Sequence, residues 1–499
     1  MTPLVRVTLG LIFTIGLSAC SQTRPSDGAE DGPPRLLIVS SLIGYVEPCG
    51  CTVDLHLGGI DRIATAVRRE RTLGPTAVVV LGPTLFEKKA AQHRVAQEHA
   101  KARLLARSLK KIGIDAVALS ANELFYGRSL FKDILGDAAS LDVTANAPGG
   151  SPRIIRIGRL KVGLVGASIG RTDVPTGMTT PPHEPVQTAA QKLREAGAHV
   201  VVGLGSLPRA ELRQLSKKVP EVDIWVLGDH PQEETAAAAF SDSYLVEAGD
   251  RGRNLGRIVF FDAEQPGPLK DPAGDSLRKK KRIEGQLRIA QIMRSAGGEI
   301  VKARIAKLEG ELKSLERPQK EGKRFEYTLI PIRQTLVRTA PINGWVDEYN
   351  ASLKALNLAQ AGDVPPVPEG QSGYVGRTEC EDCHPEAVTF WRATRHANAW
   401  KTLENDNKTF DAECVGCHVT GWQSPGGTVL GKVNGLSDVQ CEVCHGPGSR
   451  HVESGGDTEF IELKVTEATC TRCHNEHHSP KFDFSKYVRK IVGKGHEMR

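Results

Sequence analysis

Eight of the eleven cysteines in this 499-residue chain fall in four pairs, each followed directly by a histidine. They are Cys380-x-x-Cys383-His384, Cys414-x-x-Cys417-His418, Cys441-x-x-Cys444-His445 and Cys470-x-x-Cys473-His474. Two thiols at this spacing can add across the two vinyl groups of a porphyrin. The adjoining imidazole then reaches the iron from the same side. Zinc knuckles and thioredoxin-like redox pairs also use paired cysteines, but neither needs a histidine after every second one. The repeats predict four covalently attached haem c groups, with His384, His418, His445 and His474 as proximal ligands.

A second axial imidazole favours electron transfer over small-molecule binding. Residues 374–499 hold nine histidines, so five remain once the proximal four are set aside: His396, His451, His477, His478 and His496. Five imidazoles for four irons make full ligation possible.

Local stretches around these motifs resemble the tetrahaem cytochrome c-554 family. They are Cys-Glu-Asp-Cys-His-Pro with Trp391 and His396-Ala; Cys-Val-Gly-Cys-His-Val-Thr-Gly-Trp; Cys-Glu-Val-Cys-His-Gly-Pro-Gly with His451; and Cys-Thr-Arg-Cys-His with a later Ser-Pro-Lys-Phe-Asp-Phe and Tyr487. The resemblance implies two-histidine ligation for most haems, with His396 and His451 as distal ligands and His496 or His478 next. His477 and His478 read equally well as an exposed polar pair. Relatives can leave one haem five-coordinate, which makes a small-molecule site.

The rest of the chain must position this module. Its start reads as export machinery. Arg6 precedes an apolar run over 7–17, too short to span a bilayer, and Leu17-Ser18-Ala19-Cys20 resembles a bacterial lipobox. That resemblance implies cleavage before Cys20, a lipid on its sulfur and, with Ser21 following, the outer membrane. Residues 1–20 are thus expected as a lipoprotein signal peptide and 21–34 as a flexible tether, placing the protein on the periplasmic side, lipid-anchored. Short apolar runs at 36–40, 77–81, 116–120, 162–167, 200–204 and 224–227 alternate with helical stretches at 60–71 and 90–112, predicting an α/β layered domain over 35–265. Leu and Ile at near-helical spacing through the Lys/Arg/Glu-rich 275–317 predict a helical hairpin within a connector over 266–360. Pro-rich residues 361–373 read as a linker to a mainly α and irregular haem module over 374–499. A formal charge of +6 is modest for this length and argues against nucleic acid.

Residues 36–262 resemble 5'-nucleotidase-type metallophosphoesterases at Leu57-Gly-Gly-Ile-Asp-Arg62, Asn122-Glu123, Leu227-Gly-Asp-His230 and Glu247 to Arg257. Such enzymes clamp phosphate with two metals. Asn122 and His230 fit that pattern. Ser41-Leu42-Ile43, Gly82-Pro83, Gly205-Ser206 and Pro231-Gln232 stand where the family has its other ligands, and cannot replace carboxylates and imidazoles. An inactive scaffold is therefore expected. Cys49 and Cys51 in an oxidising compartment admit a disulfide, a redox switch or, with His56, a soft-metal site. The leading expectation is a lipid-anchored electron carrier between redox partner proteins. The alternatives are a haem oxidoreductase acting on a small nitrogen or sulfur compound, a residual phosphoesterase, and a structural subunit of a membrane-associated redox complex.

Overall fold

The structure is a computed structural model that describes residues 31–49, 57–87, 90–169, 174–228, 236–293, 298–315, 322–475, 478–479 and 481–496. Cys20, Cys51, His56, His230 and His477 lie outside these residues, as does the side chain of Cys49.

The first half begins with β1 (Arg35–Ser40), the short β2 (Pro48–Cys49) and β3 (Leu57–Gly58), α1 (Ile60–Arg71) and β4 (Thr76–Leu81). It continues through α2 (Val95–Ile112), β5 (Ala116–Ala118), α3 (Ala121–Tyr126) and α4 (Arg128–Leu135). Then come β6 (Arg153–Ile157), β7 (Leu160–Ser168), α5 (His183–Glu195), β8 (Val200–Ser206), α6 (Arg209–Lys218) and β9 (Ile224–Leu227). Strands β10 (Ala238–Phe240), β11 (Ser243–Glu247) and β12 (Asn254–Phe261) follow, and the helices α7 (Pro272–Ile292) and α8 (Gly298–Ser314) make the expected hairpin. The chain then returns through β13 (Arg324–Pro331) and α9 (Ile342–Leu358).

Successive side chains on a strand point to opposite faces, and this sorts the cores. On β1, Leu36 and Ile38 join Val79, Val162, Val202, Val226 and Ile258 in an apolar layer between two sheets. Leu37 and Val39 face the other way, into a layer with Leu105 and Leu109 of α2 and Val346 of α9. The sheets run β13-β12-β1-β4-β5 and β10-β11-β9-β8-β7-β6. On the far side of the second sheet, Val186, Leu212 and Trp225 form a third layer under α5 and α6. The architecture is thus helix, sheet, sheet, helix. Both faces of the central strands are covered, which is why those strands read as unbroken apolar runs. Gly203 marks how tightly they pack, since a Cβ there would stand 2.4 Å from the Trp225 ring.

The expected connector over 266–360 is only partly one. Strand β13 pairs antiparallel with β12 along its whole length, from Phe261 opposite Arg324 to Asn254 opposite Pro331. Helix α9 buries Ile342, Val346 and Leu353 in the helix-covered face of the first sheet. Phe325 supplies the reason, because a fully buried aromatic ring at the inter-sheet layer ties the strand to the domain. Of that segment, α7 and α8 project.

Residues from Arg377 onward form short helices and turns. Among the described residues their apolar cluster is small: Leu403, Val415, Val419 and Leu430.

Candidate haem centre

The four motifs lie on four short elements, Arg377–Glu381, the turn Val415–Cys417, Cys441–His445 and Glu467–Thr471. Buried Glu442, inside the third motif, holds two of them together. Its carboxylate accepts from the amides of Val375 (3.0 Å), Gly376 (2.8 Å) and Gly448 (2.8 Å). The neighbouring Cys441 thiol pushes that of Cys380 up, and the Cys473 thiol does the same to that of Cys417. Arg472 donates to the carbonyl of Val443 at 2.9 Å, linking the third motif to the fourth. The four motifs therefore form one row: first beside third, third beside fourth, fourth beside second.

The histidines pair across the module. His384 and His451 have ring centroids 6.4 Å apart, His396 and His474 6.2 Å, and His445 and His496 6.4 Å. Two imidazoles ligating one iron stand about 6 Å apart by centroid, because each metal–nitrogen bond is about 2 Å. All three separations fit that requirement. Ring orientation fits as well. Nδ1 lies 2.6 Å from the Ala399 carbonyl in His418, 2.7 Å from that of Glu462 in His445, and 2.9 Å from that of Asp457 in His451. A carbonyl only accepts, so Nδ1 carries the proton and Nε2 keeps its lone pair for a metal. Burial lowers the pKa of His396, His474 and His496. Neutral imidazole, the ligating form, is thereby favoured.

His396 comes from the turn His396–Asn398, pinned where the Val439 amide donates to its carbonyl at 3.1 Å. The Trp391 indole donates to the Val439 carbonyl at 2.8 Å and fixes the same strip of chain. His478 sits just after the fourth motif, its amide 3.2 Å from the Asn475 carbonyl. His418 differs from the other three motif histidines: among the described residues no imidazole faces its ring. The histidine count alone had left full ligation open.

The second motif is also where the module docks. Gln97, fully buried on α2, donates to Asp411 (2.6 Å) and accepts from the Ala412 amide (3.1 Å). Asn357 of α9 donates to Gln97 (2.6 Å) and to the Phe410 carbonyl (2.8 Å). Glu413, the neighbour of Cys414, pairs with Arg94 at 2.6 Å and with buried Lys101. His93 meets the Trp422 ring edge-on at 5.7 Å. None of these residues carries a sequence motif. Helix α2 reads as an ordinary basic amphipathic helix, and only the docked partner shows why its Gln97, Glu98 and Lys101 are buried.

The positions aligned with phosphoesterase ligands are occupied by internal bonds. Asn122 donates its amide to the carbonyls of Phe86 (3.1 Å) and Glu87. Ser206 accepts from the Gly82 amide at 3.1 Å. Glu123 accepts from the amides of Thr84 (2.8 Å), Leu85 (3.0 Å) and Ser120 (3.1 Å). Among the described residues, one group of three acidic or imidazole ligands lies close enough to share an ion: Glu87, Glu98 and Glu413. It belongs to the docking contact, where Arg94 and Lys101 already neutralise it.

Residues 379–446 match the family described as cytochrome c554 and c-prime. The chain is 36% identical over 159 residues to cytochrome c-554 of Nitrosomonas europaea, covering 25% of this chain and 64% of that protein. It therefore spans just under two thirds of the curated relative's length. The solved reduced cytochrome c554 of the same organism aligns at 25% identity over 24% of this chain and 83% of its own, with a TM-score of 0.20. The N-terminal part resembles a 5'-nucleotidase precursor of Thermus thermophilus (19% identity, 46% of this chain and 52% of that one, TM-score 0.38). It also resembles a sulfate thiohydrolase of that genus (14% identity, 64% and 60%, TM-score 0.46). The C-terminal region of this chain, with its row of Cys-x-x-Cys-His motifs and its matched histidines, is similar to cytochrome c554.

Proposed function

We propose that this protein is an extracytoplasmic multihaem c-type cytochrome that carries four haem c groups and passes electrons between redox partner proteins. In this reading Cys20 bears a lipid that holds the chain to the membrane, residues 21–34 are its tether, and residues 374–499 carry the redox groups. Cys380, Cys383, Cys414, Cys417, Cys441, Cys444, Cys470 and Cys473 attach the haems. His384, His418, His445 and His474 ligate from one side, and His451, His496 and His396 from the other. Haem supplies reversible one-electron chemistry when bound. The observation that carries the reading is the set of three imidazole pairs at 6.2–6.4 Å, each containing one motif histidine. Electron paramagnetic resonance of the oxidised holoprotein should give three low-spin signals and one high-spin signal. Four high-spin signals would remove the basis for the pairing.

His418 supports a second reading, haem-based chemistry on a small nitrogen or sulfur compound at one iron. The expected result is one carbon monoxide bound per four haems after reduction. No binding leaves electron transfer as the whole activity. The N-terminal domain acts as a scaffold in either case. A phosphate-ester assay with added manganese should give no turnover above blank, since Asn122 and Ser206 are engaged with backbone groups. Clear turnover overturns the scaffold reading.

A further inference from the structure

The hairpin of α7 and α8 stands out from the two-sheet body. Its base is fixed: Asp271 caps α7 by accepting from the Gly274 amide at 2.9 Å, and Arg278 bridges Asp271 and Asp275 at 3.4 and 2.5 Å. Its seam is satisfied, with Ile283 and Ala290 buried on α7 and Leu308 on α8. At about 1.5 Å per residue, the 21 residues of α7 reach roughly 30 Å.

The far end is a different surface. Ile289 is 61% exposed, Ile292 74%, Met293 55% and Ile300 84%. These four residues sit where α7 ends and α8 begins, so they share the tip. Scattered exposed apolar residues are ordinary, but four gathered on a projecting tip mark an interaction site. The charge around them is mainly basic, with Glu299 beside Ile300 paired to Lys302 at 2.8 Å. The two helices carry ten Lys and Arg against five Asp and Glu, a surplus close to the formal +6 of the entire chain. Arg288 and Lys302 flank the tip, and Lys279, Lys280, Lys281, Arg282, Arg304 and Lys307 continue along the exposed faces.

We infer that the hairpin tip docks on an anionic phospholipid surface, its apolar end entering the interface and its basic flanks meeting the headgroups. Apolar side chains capped by a basic collar suit a bilayer surface of negative charge. This contact does not require the lipid on Cys20. It would set the orientation of the protein over the membrane, whether or not that lipid holds it there.

The full chain with its haems, carrying Ile292→Cys labelled with an environment-sensitive fluorophore, tests this. The same label at Glu311→Cys, near the base, is the reference, and the chain without an added cysteine sets the background. With vesicles of phosphatidylglycerol and phosphatidylcholine, the emission at 292 should move to the blue while that at 311 stays put. With phosphatidylcholine alone the shift should be much smaller, and added salt should weaken it. Arg288→Glu with Lys302→Glu should lower partitioning at least tenfold, since each basic side chain near an anionic surface is worth roughly fivefold. Equal emission at 292 with and without anionic vesicles overturns the inference. So does a blue shift given by a soluble redox partner protein but not by vesicles.

Discussion

Replacing all eight motif cysteines by alanine should leave residues 374–499 unfolded while the two-sheet domain still melts as a unit. The module's protein core is too small to hold it, with four mutually packed buried apolar side chains among its described residues. Many of its remaining groups are half-exposed thiols and imidazoles. Porphyrin rings would have to supply the missing apolar mass and tie the segments together. Circular dichroism should lose the helical signal of the short elements between Arg377 and Val488. Limited proteolysis should trim the chain back toward the residues after α9. A native-like spectrum for the cysteine-free chain would show that the polypeptide folds alone, and the account of the core would fall.

The second large effect lies at the docking contact. Lys101 is 5% exposed and sits between Glu98 and Glu413. Lys101→Met should cost about 3 kcal/mol of interdomain stability, and Glu413→Gln about the same, since each strands a partner. The double substitution should cost clearly less than the sum, because neither change then leaves a charge behind. Denaturant unfolding of the holoprotein, followed by haem absorbance, reads all three.

The pH dependence of this contact follows from its two carboxyls. Burial raises Glu98 to about 7, against the pull of Lys101. Burial also works against Glu413, but Lys101 and Arg94 together hold it down at about 2. Glu98 is the more deeply buried of the two, and it is the one whose pKa is raised. For Glu98 the folded protein binds the proton more tightly than the unfolded chain, whose ordinary value is 4.5. Docking stability from this group is therefore full below 4.5 and is lost as pH rises toward 7. For Glu413 the sign is opposite: its contribution is present above 4.5 and is lost as pH falls toward 2. Docking should be strongest near pH 4.5, and Glu98→Gln should remove the decline on the alkaline side. An unchanged decline in that variant would assign it to another group.

The four motifs were plain in the sequence because haem attachment needs its thiols and imidazole within one short run. The strands were legible for a related reason: burial on both faces leaves Leu36–Val39 and Val200–Val202 no room for polar residues. What sequence order could not show was anything made by residues far apart. His396 opposite His474 and His445 opposite His496 depend on how short helices stack, and no local spacing encodes that. The role of β13 was hidden in the same way, because its partner β12 precedes the whole hairpin. The polar latch of Gln97, Asn357 and Asp411 was the least visible, since each residue alone is what an exposed surface would carry.

The histidine pairs overlap along the chain. His384 reaches forward past His396 and His445 to His451, and His445 reaches past His474 to His496. With haem bound, thioethers would hold one end and iron–imidazole bonds the other, and each such pair would work as a staple between distant segments, the task that disulfides perform in small exported domains. Thioether carbon–sulfur bonds do not undergo thiol exchange. A module stapled in this way keeps its shape in reducing surroundings that would open a disulfide scaffold, and it can be charged with electrons without loosening its own fastenings.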